Sequence, residues 1–285
     1  MKRSIANKTK KKIKKAILIA IAVLVALIVF FPIIWIIPAA FKGKSELFSV
    51  PNTFFPQNFT WQNFEKVFSA DINGTTFLQS IFITLAVAIL SVIGSLFVNM
   101  LCAYALARIE FPFKKFLWPL LLFPMFIPGI TIMLTSIRVV NMLNMVDTIF
   151  VLFVPGMANA YQIFFFRQFY LNIPRNIEEA AEIDGCSKIG IFFKIYVPLS
   201  VTPMVINGVG IFMGAWNSFI WPTLTVTENA GLTQIMQIIR MLNVSYAGDY
   251  GVVIAATLIS LIVPMVLYAI FQKRIVEGIA LTGTK

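Results

Sequence analysis

Four carboxylates lie within seven residues of this chain, in EEAAEID from Glu178 to Asp184. Carboxylates near a helix N-terminus are stabilised there and can form charge-assisted hydrogen bonds with an arginine of another protein. The chain has no histidine and two cysteines, Cys102 and Cys186. This composition excludes zinc-dependent and serine–histidine enzymes, a zinc site and a disulfide framework. We therefore expect a contact surface here, with no catalytic residue and no metal site.

Two further patterns resemble catalytic motifs but lack their context. GIALTGTK, from Gly278 to Lys285, has two glycines at phosphate-loop spacing, yet its lysine follows the threonine and no helix can follow it. AGDYG, from Ala247 to Gly251, resembles part of an intramembrane aspartyl protease, but no second carboxylate lies in the interior of the apolar runs. We expect no ATP site, no bound cofactor and no enzymatic activity in this chain.

The composition is that of a membrane protein. Hydrophobic residues make up 59% of the chain and charged residues 12%, and the mean hydropathy is +0.87, outside the range of soluble domains. Eight of the 23 Lys and Arg residues fall in the first 15 positions, directly before a long apolar run. Such a leader is typical of an anchor at a cytoplasmic membrane surface, so the net charge of +11 does not indicate nucleic acid as a partner.

The carboxylates must be positioned by apolar runs that are long enough to cross a bilayer as helices. The first run has 23 residues and is too long for the apolar part of a cleaved signal peptide, roughly 7 to 15 residues. The predicted spans are 16–38, 80–107, 116–135, 147–166, 199–223 and 251–271. We expect kinks rather than helix ends at the prolines inside them, which are Pro32, Pro124, Pro128, Pro155, Pro203 and Pro264. The predicted fold class is an all-α integral membrane protein with six transmembrane helices.

The distribution of basic residues predicts the orientation. If the N-terminus is inside, the inner segments carry 18 Lys and Arg residues and the outer segments carry 5. The positive-inside rule then places both termini in the cytoplasm. The carboxylate stretch falls in the inner loop between the fourth and fifth spans.

The carboxylate stretch itself predicts two short helices that meet at a glycine. Asn176 followed by Glu179 predicts a capped helix start, and Gly185 predicts a left-handed helix end. Ser187 predicts the start of a second helix, 188–196, which Pro198 closes. One face of the first helix is expected to hold Ile177, Ala180, Ala181 and Asp184, and the second helix an apolar stripe of Ile189, Phe192, Phe193 and Tyr196. A merely solvated loop needs neither paired alanines nor a glycine between capped helices, so we interpret this elbow as a docking element.

The two long outer loops differ in character. Residues 41–79 are rich in Pro, Asn and aromatic residues, which suits either an ordered cap or an interfacial aromatic belt. The loop 226–250 carries a semi-apolar helical stripe flanked by glycines and is the candidate for docking an outside partner. Its candidate contact residues are Leu232, Gln234, Ile235, Gln237 and Arg240.

Four segments, in order along the chain, resemble the permease subunits of bacterial ABC importers. The run from Glu179, Ala180 and Ala181 through Gly185 to Pro198 resembles their EAA loop, with Cys186 where alanine is common. Three segments resemble the carbohydrate branch: AYALAR ending at Arg108, AWNSFIWP from Ala215 to Pro222, and Glu277-Gly278 with the tail ALTGTK. The similarity extends from about residue 59 to the C-terminus. The short six-span form with a long loop before the last span resembles the maltose-type subunit.

This resemblance implies a type I ABC-importer permease fold with cytoplasmic coupling helices, in the bacterial cytoplasmic membrane. It implies a second, non-identical permease as partner and a cytoplasmic ATPase dimer, which holds the ATP and Mg and receives the elbow 175–198. Glu179 matches a glutamate that is implied to pair with an arginine of the ATPase. The implied coupling residues are Glu178, Glu179, Ala180, Ala181, Asp184, Gly185 and Pro198. The loop 226–250 is implied to insert into an extracytoplasmic sugar-binding protein, and the end of the chain, from Glu277 to Lys285, to reach between the ATPase subunits.

The predicted organisation is a basic leader 1–15, a transmembrane domain 16–272 that contacts membrane lipid, and the tail 273–285. AWNSFIWP offers a sugar aromatic faces and an amide, although such residues are more often packing or interfacial anchors. The candidate path residues are Trp216, Asn217, Ser218 and Phe219. The predicted function is ATP-driven import of a sugar or oligosaccharide by alternating access. The alternatives are a scaffold subunit and a stand-alone secondary transporter or channel, although the sequence lacks the intramembrane charges and repeated halves typical of the latter.

Overall fold

The computed structural model describes residues 2–72, 74–227 and 230–283, and within them the side chains of 11–72, 74–227 and 230–276. The roles predicted for the tail, from Glu277 to Lys285, lie outside the described side chains. Residue Glu228 of the predicted docking loop also lies outside the described residues.

Helices make up most of the described residues. The chain begins with α1 (Lys2–Ala39), α2 (Lys44–Leu47) and α3 (Gln62–Ser69). A short antiparallel hairpin follows, in which Asp71 of β1 (Asp71–Ile72) lies opposite Thr76 of β2 (Thr75–Thr76). The later helices are α4 (Phe77–Arg108), α5 (Lys114–Leu122), α6 (Gly129–Met142), α7 (Ile149–Phe153), α8 (Ala160–Leu171), α9 (Arg175–Ile183), α10 (Lys188–Ile191), α11 (Val197–Leu199), α12 (Val201–Trp216), α13 (Ile220–Thr225), α14 (Ile235–Ser245) and α15 (Tyr250–Gly283).

In the described part of the chain, three helices are long and apolar enough to cross a membrane: Lys11–Ala39, Phe77–Arg108 and Tyr250–Val276. Three pairs of helices pass the same test only jointly, because each pair bends at a short break. The bends are 106° between Lys114–Phe126 and Gly129–Met142, 47° between Ile149–Gly156 and Ala160–Leu171, and 79° between Lys188–Leu199 and Val201–Trp216. If each bent pair is one span, the total is the six that the sequence predicts.

The prolines explain two of the breaks and correct the expectation of simple kinks. Pro32 and Pro264 do lie inside continuous helices. The expectation is wrong at Pro124 and Pro155, which lie in 3-10 turns, and at Pro128, which directly precedes α6. Proline lacks an N–H and its ring blocks the preceding turn, so Pro124 and Pro128, four residues apart, end the helix instead of bending it.

The break between α7 and α8 is bridged by a side-chain amide from α4. Nδ2 of Asn99 donates to the carbonyl of Met157 at 2.8 Å, and the backbone N–H of Asn159 donates to Oδ1 of Asn99 at 2.8 Å. Oε1 of Gln162 accepts hydrogen bonds from Asn99 and from the hydroxyl of Ser95, both at 2.9 Å. Asn99 therefore satisfies backbone groups that the interrupted helix leaves free, which a membrane-spanning segment requires.

The chain divides into two compact units, and the first comprises Met1–Ser69 and Leu242–Ile259. Residues 41–69 are ordered within this unit: buried Asn63 donates to the carbonyls of Ala40 and Lys42, each at 2.8 Å. Lys66 pairs with Asp249 of AGDYG at 2.6 Å. The backbone N–H of Gln57 donates to Glu46 at 2.6 Å and holds the pKa of that carboxyl below its usual value.

The second unit comprises Ala70–Met241 and Ser260–Lys285 and is centred on α4, which packs against α8 and α12. At the Arg108 end of α4 the buried side chains form an aromatic-rich cluster. Its members are Met100, Ala103, Tyr104, Leu106, Ala107, Ile163, Phe166, Tyr170, Ile191, Phe192 and Tyr196. This cluster is the support on which the predicted elbow rests.

Candidate functional site

The first arm of the elbow is α9, and its start differs from the prediction. The helix begins at Arg175 with Pro174 in the N-cap position, so the predicted capping box of Asn176 and Glu179 is wrong. Proline fixes φ near the helical value, is tolerated at a helix start and has no N–H to satisfy. The side chain of Glu179 is therefore not used in a cap and is exposed.

The corner of the elbow follows the sequence prediction. Gly185 has φ +78°, the left-handed conformation that glycine adopts without steric cost. The amide of Cys186 donates to the carbonyl of Ala181 at 2.9 Å, and the amide of Gly185 donates to that of Glu182 at 3.0 Å. This pair of bonds is the Schellman motif. The hydroxyl of Ser187 then accepts from the amide of Gly190 at 3.1 Å and caps the second arm, as predicted.

The second arm is longer and less regular than predicted. After α10 the chain makes a π-helical turn over Phe192–Tyr196, continues as α11 and bends at Ser200, so Pro198 does not close the arm. A π turn adds a residue per turn and rotates the faces of the helix. The predicted stripe is accordingly split: Phe192 and Tyr196 are buried, whereas Ile189 and Phe193 are exposed.

The inner face of α9 carries a buried carboxylate instead of an alanine pair. The side chain of Glu178 is 9% exposed, and its Oε2 accepts from the hydroxyl of Tyr196 at 3.0 Å. Nε of Arg108 lies 3.9 Å from the same oxygen, and Nζ of Lys188 lies 3.3 Å from Oε1. Ala181 packs partly buried beside it, against the aromatic cluster. The expectation that Glu178 is free to meet a partner is therefore wrong.

Arg108 connects three segments at this point. Its side chain is 3% exposed, and its Nη2 donates to the carbonyls of Tyr170 and Ile173, at the end of α8 and just beyond it. The guanidinium also lies 5.5 Å from the centre of the Tyr196 ring. In addition, the hydroxyl of Tyr104 donates to the carbonyl of Lys188 at 3.1 Å. The last turn of α4 thus holds both arms of the elbow.

The outer face of the elbow is exposed and carries most of the predicted coupling residues. Its exposed members are Glu179, Ala180, Asp184, Gly185 and Pro198. Ile183 is 86% exposed, which is unusual for an isoleucine in a folded chain. Glu182 is only partly available, because it pairs with Lys188. A surface that mixes carboxylates, small residues and an exposed isoleucine suits contact with another protein better than contact with water alone.

The predicted path residues lie at the end of α12 and in the short break that follows it. Trp216, the last residue of α12, is 1% exposed and stacks on Phe212 at 6.0 Å. Asn217 is exposed, but its Nδ2 donates to the carbonyl of Met213 at 2.9 Å. Ser218 and Phe219 follow in the break before α13, partly buried, and Arg240 lies over the Phe219 ring at 5.4 Å. A direct substrate contact by Trp216 finds no support in this burial.

The prediction for the docking loop 226–250 differs most from the structure. Gln234, Ile235 and Gln237 are 1%, 0% and 7% exposed, so their predicted exposure is wrong. The amide of Ile235 donates to the hydroxyl of Thr84 in α4 at 2.8 Å. Leu232 packs beside the small cluster of Val140, Val151 and Val226. Arg240 is the member of the predicted set that is exposed.

Sequence reasoning missed the inward partners of Glu178. The sequence patterns indicated Arg108 only as the last residue of AYALAR and Tyr196 only as a member of an apolar stripe. A signal was present, because an arginine that ends a long apolar helix needs acceptors when it is buried. Its partners lie 62 to 70 residues further along the chain, which no local pattern reveals.

The comparisons with known proteins now identify the family. The family model described as "binding-protein-dependent transport system inner membrane component" matches residues 99–279, well over half of the chain. The chain belongs to this family. It is a multi-pass inner-membrane permease of a binding-protein-dependent transport system, and the matched region includes both arms of the elbow.

Individual relatives cover nearly the whole permease. It is 30% identical over 261 residues to the arabinooligosaccharides transport system permease protein AraQ of Halalkalibacterium halodurans, covering 90% of this chain and 92% of that protein. It is 31% identical over 255 residues to the sn-glycerol-3-phosphate transport system permease protein UgpE of Yersinia enterocolitica, covering 88% and 91%. A third relative is the sulfoquinovosyl glycerol transport system permease protein SmoH of Agrobacterium fabrum, 30% identical over 257 residues, covering 90% and 88%.

A solved structure supports the fold of the permease. A chain of a bacterial ABC transporter involved in the import of the acidic polysaccharide alginate superposes with a TM-score of 0.76, at 23% sequence identity, over 92% of this chain and 96% of that one. At that identity the likeness establishes the fold, which is the type I ABC-importer permease fold that the sequence predicts.

Proposed function

We propose that this permease serves an ATP-driven importer of a sugar or oligosaccharide. The observation that carries the substrate class is that two of the three relatives described above, AraQ and SmoH, are named for arabinooligosaccharides and for a sulfoquinovosyl glycerol, whereas UgpE is named for sn-glycerol-3-phosphate. In this proposal a second, non-identical permease completes the path, and an extracytoplasmic sugar-binding protein delivers the solute. Both termini and the elbow lie in the cytoplasm, as the 18 to 5 asymmetry of basic residues favours.

The coupling proposal rests on the exposed face of α9. A cytoplasmic ATPase dimer, which holds the ATP and Mg, receives Glu179, Ala180 and Asp184, and an arginine of the ATPase pairs with Glu179. The Schellman corner and the capped second arm keep this face rigid, so a movement of the ATPase is passed on rather than absorbed. The exposed Ile183 contributes apolar contact area.

A matched pair of carboxylate variants tests the coupling proposal. The tagged permease is purified from its native membranes, and the ATPase in the eluate is measured by ATP hydrolysis. A hydrogen bond to a charged group contributes about 1.5–3 kcal/mol, so Glu179→Gln is expected to lower ATPase recovery roughly tenfold or more. Glu110→Gln, at an exposed carboxylate beside Lys114, is the control and is expected to retain the ATPase. Full recovery with Glu179→Gln contradicts the proposed contact.

The orientation has its own test. A cysteine placed at the exposed Ile183 (Ile183→Cys, with Cys102→Ala and Cys186→Ala) is treated with a membrane-impermeant thiol reagent. We expect labelling in opened membranes and none in intact cells. Labelling in intact cells contradicts the cytoplasmic location of the elbow.

The substrate class is tested by uptake. Cells with and without the gene are given labelled arabinose and maltose oligosaccharides, glycerol 3-phosphate and amino acids. Loss of uptake of a carbohydrate supports the proposal. Loss confined to glycerol 3-phosphate or to amino acids contradicts it, and energy-independent uptake by the purified chain alone supports a secondary transporter.

A further inference from the structure

The ion pair of Arg108 and Glu178 is too deeply buried to be explained by stability alone. Both side chains are at least nine-tenths buried. Removing a charge from water costs several kcal/mol, and apolar side chains of similar size often give a protein equal or greater stability. Apolar contacts, however, do not require one particular pairing of groups, whereas a buried charge must stay close to its partner. Most side chains around the pair are aromatic and aliphatic, and its polar contacts are the Tyr170 and Ile173 carbonyls, the Tyr196 hydroxyl and Lys188.

We propose that Glu178 is a positioning residue that, through Arg108, makes α9 move as one body with the last turn of α4. This inference rests on the proposed function, in which α9 receives the movement of the ATPase. Arg108 is the last residue of α4, holds the carbonyls at the end of α8 and faces Glu178 of α9. A displacement of α9 therefore reaches two spans through a single guanidinium.

The two neighbouring glutamates then have different tasks. Glu178 and Glu179 lie on different faces of α9, the first buried and the second exposed. Lys188 contacts both Glu178 and Glu182, which ties the second arm to the first across the Gly185 corner. Glu179 faces the ATPase, and Glu178 fixes the position of α9 relative to the membrane-spanning helices.

Spin labels test whether the two elements move together. Labels are placed at Asn176 in α9 and at Phe97 in α4, both exposed, in the complex that co-purifies with the ATPase and with Cys102 and Cys186 replaced by alanine. Between the nucleotide-free and vanadate-trapped states we expect the label distance in the otherwise native permease to change by no more than about 2 Å. In Glu178→Gln, which is isosteric and can still accept from Tyr196, we expect a broadened distribution or a shift of about one helical turn, ~5 Å.

Control variants distinguish a loss of joint movement of α9 and α4 from general damage to the structure. Glu179→Gln is expected to leave the label distance unchanged in any complex that still forms. The double variant Arg108→Met, Glu178→Leu replaces the pair by apolar side chains and is expected to fold but to lose the constant distance. A constant distance in the double variant overturns the proposal, as does a large change in the otherwise native permease.

Hydrogen exchange of the permease alone tests the link without the ATPase. Exchange in Glu178→Gln is expected to rise several-fold both in α9 and in the last turn of α4, whereas Glu179→Gln raises neither. A rise confined to α9 overturns the proposal. If no ATPase co-purifies with the native permease, the proposed function fails, and exchange still decides whether the two elements are linked.

Discussion

The helices α9 and α14 both lie between membrane-spanning segments, yet the side chains that they bury differ. α9 buries the carboxylate of Glu178 and leaves Ile183 86% exposed. α14 buries Ile235 and Ile238 completely, with Gln237 beside them, and exposes Arg240 and Val244. A helix that buries its large apolar side chains packs them within its own chain. A helix that exposes such a side chain leaves apolar area that another protein can cover.

The difference distinguishes a helix that leaves an apolar side chain exposed, α9, from a helix whose isoleucines are buried within the chain, α14. The corner of the elbow is formed by its own backbone and by the hydroxyl of Ser187. The start of α14 depends on a distant helix, because Thr84 of α4 accepts from the amide of Ile235. The elbow is therefore preformed and can bind without rearrangement. In the loop 226–250, Arg240 is exposed, whereas its neighbours Gln234, Ile235 and Gln237 are buried.

The largest expected effect comes from matched isoleucine truncations in the two helices. Ile235→Ala removes a fully buried side chain and is expected to lower the free energy of unfolding by about 2–5 kcal/mol. Ile183→Ala removes an exposed one and is expected to change it by no more than about 0.5 kcal/mol. Unfolding of the purified permease by SDS in mixed micelles measures both.

For binding of the ATPase, the same two variants are expected to rank in the opposite order, with the larger effect from Ile183→Ala. Ile183→Ala is expected to reduce the recovery of the ATPase, whereas Ile235→Ala retains it in whatever fraction of the permease remains folded. Equal destabilisation by the two truncations contradicts the distinction between the helices.

Much of the fold was predictable because hydropathy and charge act over long segments. The limits of the three uninterrupted spans lie within five residues of the predicted ones, although the helices α1 and α15 extend further, to Lys2 and Gly283. The resemblance carried by the elbow predicted the family. The sequence could not tell whether a given proline bends its helix or ends it. The outcome depends on which groups satisfy the backbone hydrogen bonds that the proline frees. Asn99 supplies such a partner at Met157 from 58 residues away.

The two arms and the corner of the elbow were predicted from the sequence, but the face of α9 that is buried was not. Gly185 and Ser187 carry local signals, and both act as predicted. The burial of Glu178 was missed because its partners come from distant parts of the chain, and hydrophobic periodicity counts a carboxylate as exposed. The stripe around Ile235 was misinterpreted because a docking face and a core face have the same pattern.

An intermediate effect is expected at the corner of the elbow. Gly185 has φ +78°, so Gly185→Ala is expected to cost about 1–2 kcal/mol even though its Cβ meets no other atom within 4 Å. The control is Gly210→Ala in the middle of α12, where the Cβ also has room and the variant is expected to be stabilised by about 0.5–1 kcal/mol. SDS unfolding compares the two. A neutral Gly185→Ala variant means that the corner is not rigid.

The smallest effect tests whether the elbow is stabilised locally. Ser187→Ala removes the N-cap of the second arm and is expected to cost about 1 kcal/mol, whereas Ser187→Asn keeps a capping oxygen and restores most of it. Hydrogen exchange at the amide of Gly190, which Ser187 holds, is expected to accelerate roughly fivefold in the alanine variant. Exchange in α14 is expected to stay unchanged, because its start is capped by Thr84 rather than by a residue of the elbow. If exchange rises in both helices, the elbow is not an independent unit and the contrast between α9 and α14 fails.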